Sequence, residues 1–592
     1  MPELERYPVA IIGGGPVGLV SSILLSQQKI PHVLFERYPS TSIHPKACGM
    51  NMRTVEIFRQ IGIEREVLEQ RAPQNTVSRT TWRTTLGPTS REIIGRDAWG
   101  GGAYQEECKG SSPCPYVIIP QIRLEPILQR RAIELNPQGI RYGVEVTDTE
   151  EDGDRVILTT RDTNGSGICR FEARYVIGAD GDRGLTDELG IKWEGERDIL
   201  DMVSAHFKAP LSAHHPDPRN FITWFIDPLK GGSIRTGYLY HLGPYPVTTE
   251  TEEWLFACAV NPENVQDFKT EDMVERIHGT LQIPDLDINL ISLSHWRVDS
   301  IVAEKYRSEK GRIFLVGDAA HRIPPWGALG LNTGIQDAHN LVWKLGLAIR
   351  SDKLGRYNAL LDTYETERHP IGLRVAQTSL HNLQSHALIM DRALGISPQN
   401  NTESNVKAME EYFIPHSTEG KSRRQAVQNA QNILDIEFHA LGAEIGWFYP
   451  NIDPETPITS SNHGGQLLPN GELNCLQYHP SLLPGHHLPH IWLEKNGVVR
   501  STRDLIPCDT LLFLISGPYG EATYDGVARV ERIGDSGWRD ADGMWANLKG
   551  HLAGILVRPD GIIAWKADHH SMLDMTGKGL AVVIERLTSG RR

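Results

Sequence analysis

VAIIGGGPVGLVSSILLSQQKIPHVLFE, residues 9–36, is the stretch from which the rest of the chain is read. Val9-Ala10-Ile11-Ile12 is wholly apolar and predicts a buried parallel strand. Gly13 to Gly18 fits G-x-G-x-x-G, Leu19 to Gln28 has helical spacing, and His32 to Phe35 is a second apolar run closed by Glu36. In that setting Gly13 permits the tight turn, Gly15 lets a pyrophosphate approach the backbone, and Gly18 lets helix and strand pack closely. Free N–H groups and the helix dipole favour an anionic ligand there. Glu36 is placed to accept hydrogen bonds from a ribose diol. The hexapeptide alone is a weak signal; the strand before it, the helix after it and the acid at the end of the next strand make it a dinucleotide-binding unit.

The 592 residues suffice for several domains, and 40% hydrophobic content suits a packed globular chain. A net charge of −14, with Lys and Arg scattered, argues against a nucleic-acid or anionic-membrane surface. Seven cysteines without a C-x-x-C read as reduced thiols in an intracellular, cytoplasmic protein. No apolar run reaches transmembrane length, and the acidic start Met1-Pro2-Glu3-Leu4-Glu5 is unlike a signal peptide.

Further along, Pro45-Lys46-Ala47-Cys48-Gly49 reads as a loop, in which Lys46 could reach phosphate oxygens. Thr54 to Ile61 reads as a helix closed by Gly62. Residues 71–115 read as an insertion with short strands over the core; Cys108 and Cys114 there are too isolated for a metal or redox site. Tyr116 to Ile119 predicts a strand, and Gln121 stands near the start of the helix that follows, where it could bond a polar ligand chain. Gly153–Leu158 and Gly165–Phe171 suggest a small meander. Arg174 to Gly178 predicts a strand running into Ala179-Asp180-Gly181, an acid and a glycine at a strand end. Residues 200–300 alternate strands and turns and predict an antiparallel sheet. A strand over 233–241 would put Thr236, Tyr238 and Tyr240 on one face and Arg235, Leu239 and His241 on the other. Ile313 to Val316 then leads into Gly317-Asp318-Ala319-Ala320-His321, the loop Pro324-Pro325-Trp326-Gly327-Ala328-Leu329-Gly330-Leu331-Asn332 and a long helix. His321 reads as a structural, hydrogen-bonded histidine rather than a catalytic one. Helices fill 351–440, and 450–475 is a Pro/Asn/Gly/Ser-rich linker. Strand-like runs follow, ending in a hairpin through Pro559-Asp560-Gly561.

GGGPVG with Glu36, GADG at 178–181, and GDAAH at 317–321 followed by PPWGALGLN together resemble the single-component FAD-dependent aromatic hydroxylases over about residues 8–375. The tail, with LVRPDGIIAWK at 556–566, resembles the redox-inactive thioredoxin-like C-terminal domain of the phenol hydroxylase subgroup. The resemblance implies an α/β fold. Residues 1–200 and 300–390 would form a discontinuous Rossmann-like FAD-binding domain. Residues 201–299 would be an antiparallel substrate sheet, 391–455 a helical connector and 456–592 the thioredoxin-like domain. It implies that Gly13, Gly15, Gly18 and Glu36 bind the ADP half of FAD and that Gln121 contacts the flavin chain. Asp318 would take the ribityl hydroxyls, Gly330, Leu331 and Asn332 the isoalloxazine, and Asp180 with Gly181 both FAD and NADPH. Tyr238, Tyr240 and Pro325 are the catalytic candidates, and a homodimer is implied through the tail. The implied reaction is NAD(P)H-driven monooxygenation through a flavin C4a-hydroperoxide. Its substrate would be an aromatic, phenolic or polyketide-like compound, with O₂ as co-substrate.

Two motifs depart from the family. Gly184 and Asp187 stand where a Ser and an Arg are usual after GADG. Cys48 stands where phenol hydroxylases carry an aspartate base, and a thiol near 8.5 is the poorer base at neutral pH. Tyr238, Tyr240 or a nearby histidine would then handle or orient the phenolic hydroxyl. Baeyer–Villiger oxidation, epoxidation, or a flavin-binding protein without turnover are the alternatives at this stage.

Overall fold

The computed structural model describes residues 4–589, apart from 166, 262–266, 352, 354, 454–456, 517–527, 535–536, 541, 569 and 571–576. Glu5–Ile12 forms the central strand of a seven-stranded sheet, parallel to His32–Glu36 on one side and Ile168–Gly178 on the other. Val9, Ala10 and Ile11 are wholly buried, as expected for a strand covered on both faces. Ile140–Tyr142 extends the sheet in parallel beyond His32–Glu36, and Ile313–Leu315 pairs in parallel with Ile168–Gly178. The expected meander is present as Val144–Asp152, Arg155–Asp162 and Ile168–Gly178, paired antiparallel. Helices Pro16–Gln27, Gln121–Leu135 and Gly330–Arg350 pack into the same core.

Local chemistry explains these elements. Pro16 starts its helix, where its missing N–H costs nothing. Asn51 caps helix Met52–Ile61 by accepting from the Thr54 amide at 3.0 Å, and Gly62 ends it in a left-handed conformation.

The second sheet has eight strands in the order 321–322, 289–303, 193–208, 253–259, 238–243, 220–225, 79–83 and 92–97. It differs from the expected sheet in three ways. Arg79–Arg83 and Glu92–Asp97 do not cover the first sheet but continue this one. Asn220–Phe225 and Arg79–Arg83 pair in parallel within an otherwise antiparallel array. Trp193–Lys208 and Asn289–Ala303 run across 200 and 300, so the expected domain boundaries fall inside long continuous strands of the second sheet.

Ser233–Thr236 is a helical turn, not strand, between Gly232 and Gly237, both at positive φ. Thr236 therefore bonds back to the Gly232 carbonyl at 2.6 Å instead of sharing a face with Tyr238 and Tyr240, and Arg235 is exposed. The strand itself is Tyr238–Gly243.

A helix of 37 residues, Asn358–Leu394, with Pro370 inside it, passes from the first sheet to the second. In the tail, Leu511–Ile515 pairs in parallel with Ala528–Arg532 and antiparallel with Leu552–Val557, which pairs antiparallel with Ile563–Asp568. Helix Gly577–Ser589 follows. This is a thioredoxin-like strand order, docked on the first domain.

Candidate active site

Three strand ends lie in register: Ile12 beside Gly178, and Gly178 beside Leu315. The three turns singled out in the sequence therefore leave the sheet at one edge, the carboxyl edge where open parallel sheets bind ligands. The Ala179 amide bonds the Ile12 carbonyl and the Val316 amide bonds the Gly178 carbonyl, which locks the turns together.

The glycines divide by what surrounds them. A methyl on Gly13 would lie 2.2 Å from the Ala179 carbonyl oxygen, and one on Gly18 would lie 2.0 Å from the Gly13 carbonyl oxygen. Beside Gly15 there is open space to 4 Å. The first two permit packing; the third leaves room where the helix presents free N–H groups to an anion.

Glu36 accepts from the Gly14 amide at 2.6 Å and from the Tyr38 amide at 2.8 Å, one on each oxygen. Each carboxylate oxygen keeps a further lone pair for hydroxyl donors. Asp180 accepts from the Leu185 amide at 3.2 Å, while its other oxygen is buried and has no partner among the described residues. Burial raises this carboxyl to about 6. Asp318 is open to the cleft, yet enough protein surrounds it that burial raises its carboxyl, with His321 and Lys46 opposing. These unfilled acceptors and the open space at Gly15 fit a dinucleotide with many hydroxyls.

Lys46 is exposed, on a loop held by the Gln121 amide, which donates to the Pro45 and Ala47 carbonyls. The Gln121 side chain is buried and donates to Glu125. Gly330, Leu331 and Asn332 form the first turn of their helix, whose N–H groups find no acceptor inside it. Both amide hydrogens of the Asn332 side chain are used. The side chain donates to the Gly49 and Ala328 carbonyls and accepts from the Asn51 amide, tying the 45–51 loop to the helix, so Asn332 has only its backbone N–H left to donate. Pro325 is exposed in the loop ahead of that helix, and Gly181 adopts positive φ after Asp180. Asp187 accepts from the Trp193 indole.

His321 has the structural role expected. It is fully buried and bonds Asp337 at 2.7 Å, and Asp337 also accepts from Arg368 at 2.7 Å. Burial would raise Asp337, but Arg368 and His321 outweigh it and hold the carboxyl low.

Across the cleft, the Tyr238 and Tyr240 rings stack 6.2 Å apart, and the Tyr240 hydroxyl points at the Lys46 carbonyl at 3.4 Å. Cys48 packs against the same cluster. Burial pushes its thiol up to about 12, and burial also raises both tyrosines, so all three stay protonated at neutral pH. His241 lies on the other strand face, bonded to the Tyr245 hydroxyl at 2.8 Å, with burial lowering it to about 4.

The sequence reading missed the far wall: Trp82 and His386, which meet Trp224, and Phe438, which meets Trp82 and His386. These residues are distant in sequence, and only the parallel pairing of Arg79–Arg83 with Asn220–Phe225 brings Trp82 there. A separate cavity of about 450 Å³ between helix Asn358–Leu394 and the tail has none of the turn residues in its lining.

Residues 6–379 match a family described as "FAD binding domain", and residues 481–589 match "Aromatic-ring hydroxylase, C-terminal". The chain is 31% identical to a phenol 2-monooxygenase of Pseudomonas sp. (strain EST1001), over 94% of this chain and 89% of that one. It is 29% identical to a putative polyketide hydroxylase of Streptomyces halstedii, over 99% and 98%. Among solved structures, the flavin-dependent monooxygenase PieE in complex with FAD and substrate aligns with a TM-score of 0.85 at 30% identity, covering 98% of this chain and 99% of that one. The chain belongs to the FAD-dependent aromatic-ring hydroxylases, phenol hydroxylase-like monooxygenases that use FAD with NAD(P)H.

Proposed function

We propose that this monooxygenase hydroxylates a multi-ring phenolic, polyketide-like compound with NADPH or NADH as the reductant. When bound, FAD supplies the redox chemistry and oxygen activation; the chain supplies position, proton control and exclusion of water. In this reading Gly13, Gly15, Gly18 and Glu36 hold the ADP half. Lys46, Gln121, Asp180 and Gly181 flank the middle of the cofactor, Asp318 meets the ribityl hydroxyls, and the N–H groups of Gly330, Leu331 and Asn332 face the flavin ring. Tyr238 and Tyr240 act as hydrogen-bond donors that orient the substrate hydroxyl, since burial keeps both phenols neutral. Pro325 borders the cleft from its exposed loop.

Residues 1–200 and 300–390, less the strands given to the second sheet, form the FAD unit. Residues 201–299 with those strands form the substrate sheet, 391–455 the connector and 456–592 the tail. A cytoplasmic homodimer completes the reading. Among the described residues no helix is long and apolar enough to cross a membrane. Val498 and Val499, 49% and 62% exposed on the edge strand of the tail, offer an apolar contact.

The observation that carries the substrate class is the aromatic wall. It begins at Tyr240 over the Lys46–Cys48 loop and continues through Tyr238 to Trp224, with ring centroids 6.2 and 4.8 Å apart. The test is NADPH oxidation by the yellow, FAD-loaded protein with single-ring and multi-ring phenols, with product mass read for one added oxygen. Stimulated oxidation with a hydroxylated multi-ring product supports the reading; hydroxylation confined to single-ring phenols overturns the substrate class.

A further inference from the structure

The aromatic wall ends in a buried dyad that the hydroxylase reading does not use. His386, on the long helix, and Glu437, on the short helix Asp435–Phe438, are 4% and 6% exposed. The imidazole Nδ1 lies 3.0 Å from a Glu437 carboxylate oxygen. A carboxylate there accepts the Nδ1 hydrogen and leaves Nε2 with a lone pair. That Nε2 is buried and has no hydrogen-bond partner among the described residues. A buried acceptor left unmade is costly, and a donor brought by a ligand would relieve that cost.

The surroundings say what kind of donor. The His386 ring sits 3.9 Å from Trp224, 5.6 Å from Trp82 and 6.4 Å from Phe438. These flat apolar faces suit fused aromatic rings. Polar atoms on the same wall also have no hydrogen-bond partner among the described residues: the Trp82 indole nitrogen, one oxygen of Asp391 and the side-chain oxygen of Gln431. Asp391 interacts electrostatically with His386, and Gln431 donates to the sulfur of Met390, so both belong to this end of the wall. Between the dyad and the Lys46 carbonyl stand Trp224, Tyr238 and Tyr240 in succession.

We propose that His386, oriented by Glu437, accepts a hydrogen bond from a hydroxyl on the end of the substrate remote from the 45–51 loop. The pair thereby selects multi-ring aromatics hydroxylated at both ends. This rests on the proposed substrate class and names the anchor for it. His386 touches substrate; Glu437 is a positioning residue that fixes the tautomer.

The test uses the full-length, FAD-loaded protein and two probes, a dihydroxyanthraquinone with hydroxyls at opposite ends and its monohydroxy counterpart. Binding is read from quenching of tryptophan fluorescence, independently of turnover. Wild type should prefer the dihydroxy probe by about tenfold, the worth of one buried hydrogen bond. His386→Phe should bring that preference to about one. Glu437→Leu should do the same, whereas Glu437→Gln, whose amide oxygen still accepts from Nδ1, should keep most of it. Equal affinity of wild type for the two probes would overturn the anchor whether or not any variant folds. So would a His386→Phe protein with normal FAD content and undiminished preference. The two readings fail separately: a wild type that discriminates the probes yet oxygenates no aromatic compound sinks the reaction and keeps the anchor, while a hydroxylating wild type blind to the remote hydroxyl sinks the anchor alone.

Discussion

Arg558, in the C-terminal hairpin, donates to both carboxylate oxygens of Glu367 on the long helix, at 2.8 and 2.7 Å. Glu367 also accepts from Lys344 at 2.8 Å and Asn340 at 2.7 Å, and Arg558 reaches Asp560 of its own hairpin. All of these residues are buried. Burial would raise Glu367, but Arg558 and Lys344 outweigh it and hold the carboxyl low, while burial lowers Lys344 to about 8. A second bond joins tail and first domain at Arg503–Glu56, 2.8 Å, and a third at Arg59–Asp504, 2.7 Å. Arg558→Met keeps length and removes charge, leaving two buried carboxylates short of a partner. The expected loss is about 3–5 kcal/mol in urea unfolding of the FAD-loaded protein, against about 1 kcal/mol or less if the pair were solvent-screened. Cutting the chain after residue 450 should give an unstable protein rather than a sound monomer.

Gly15 and Gly18 should fail differently. Gly15→Ala meets no protein atom, so the chain should fold with an unchanged melting temperature but lose FAD affinity by about tenfold or more, because a methyl intrudes where the pyrophosphate approaches. Gly18→Ala drives a methyl into the Gly13 carbonyl and should lower the melting temperature of the apoprotein itself. Melting curves with and without added FAD separate the two, and equal damage to both apoproteins would refute the division.

The buried Asp180 carboxyl, raised to about 6, gives FAD binding a pH dependence. If cofactor donors complete its free oxygen, the bound form has the lower pKa, and binding releases a proton between the two values. Affinity should therefore rise with pH up to about 6 and level off above it. Asp180→Asn should flatten the rise in a fluorescence titration of apoprotein with FAD; a slope of opposite sign would show that the carboxylate repels the cofactor.

With its thiol pushed up to about 12, Cys48 is protonated throughout the neutral range. Cys48→Ser should keep kcat/KM within a few-fold and leave the pH–rate profile without a lost limb. Tyr240→Phe should lower kcat/KM by about tenfold, the loss of one donor, again without a change in profile. An ionisation that vanishes with Cys48 would make the thiol the base.

Much of the flavin side was legible because its signals are local. Strand, glycine turn and acid recur in one short stretch, and Gly13, Gly15, Gly18 and Glu36 need only their neighbours to be placed. The substrate side was not. Ser233–Thr236 alternates like a strand, yet two glycines at positive φ turn it into a helix. Trp82, His386 and Glu437 meet only through pairings across hundreds of residues, which no periodicity records. Asn332 was found by its motif, but its side chain serves the 45–51 loop.

The Arg558 plug also fixes when the protein can become whole. Arg558 is made 191 residues after Glu367, and domains that emerge first usually fold first. Here the earlier unit holds Glu367 and Glu56 in its interior with only part of their partners, Lys344 and Arg53, and lacks Arg558 and Arg503. On the ribosome, that unit must wait with those charges in water until the final hairpin emerges, so a nonsense codon late in the gene would damage the oldest part of the molecule.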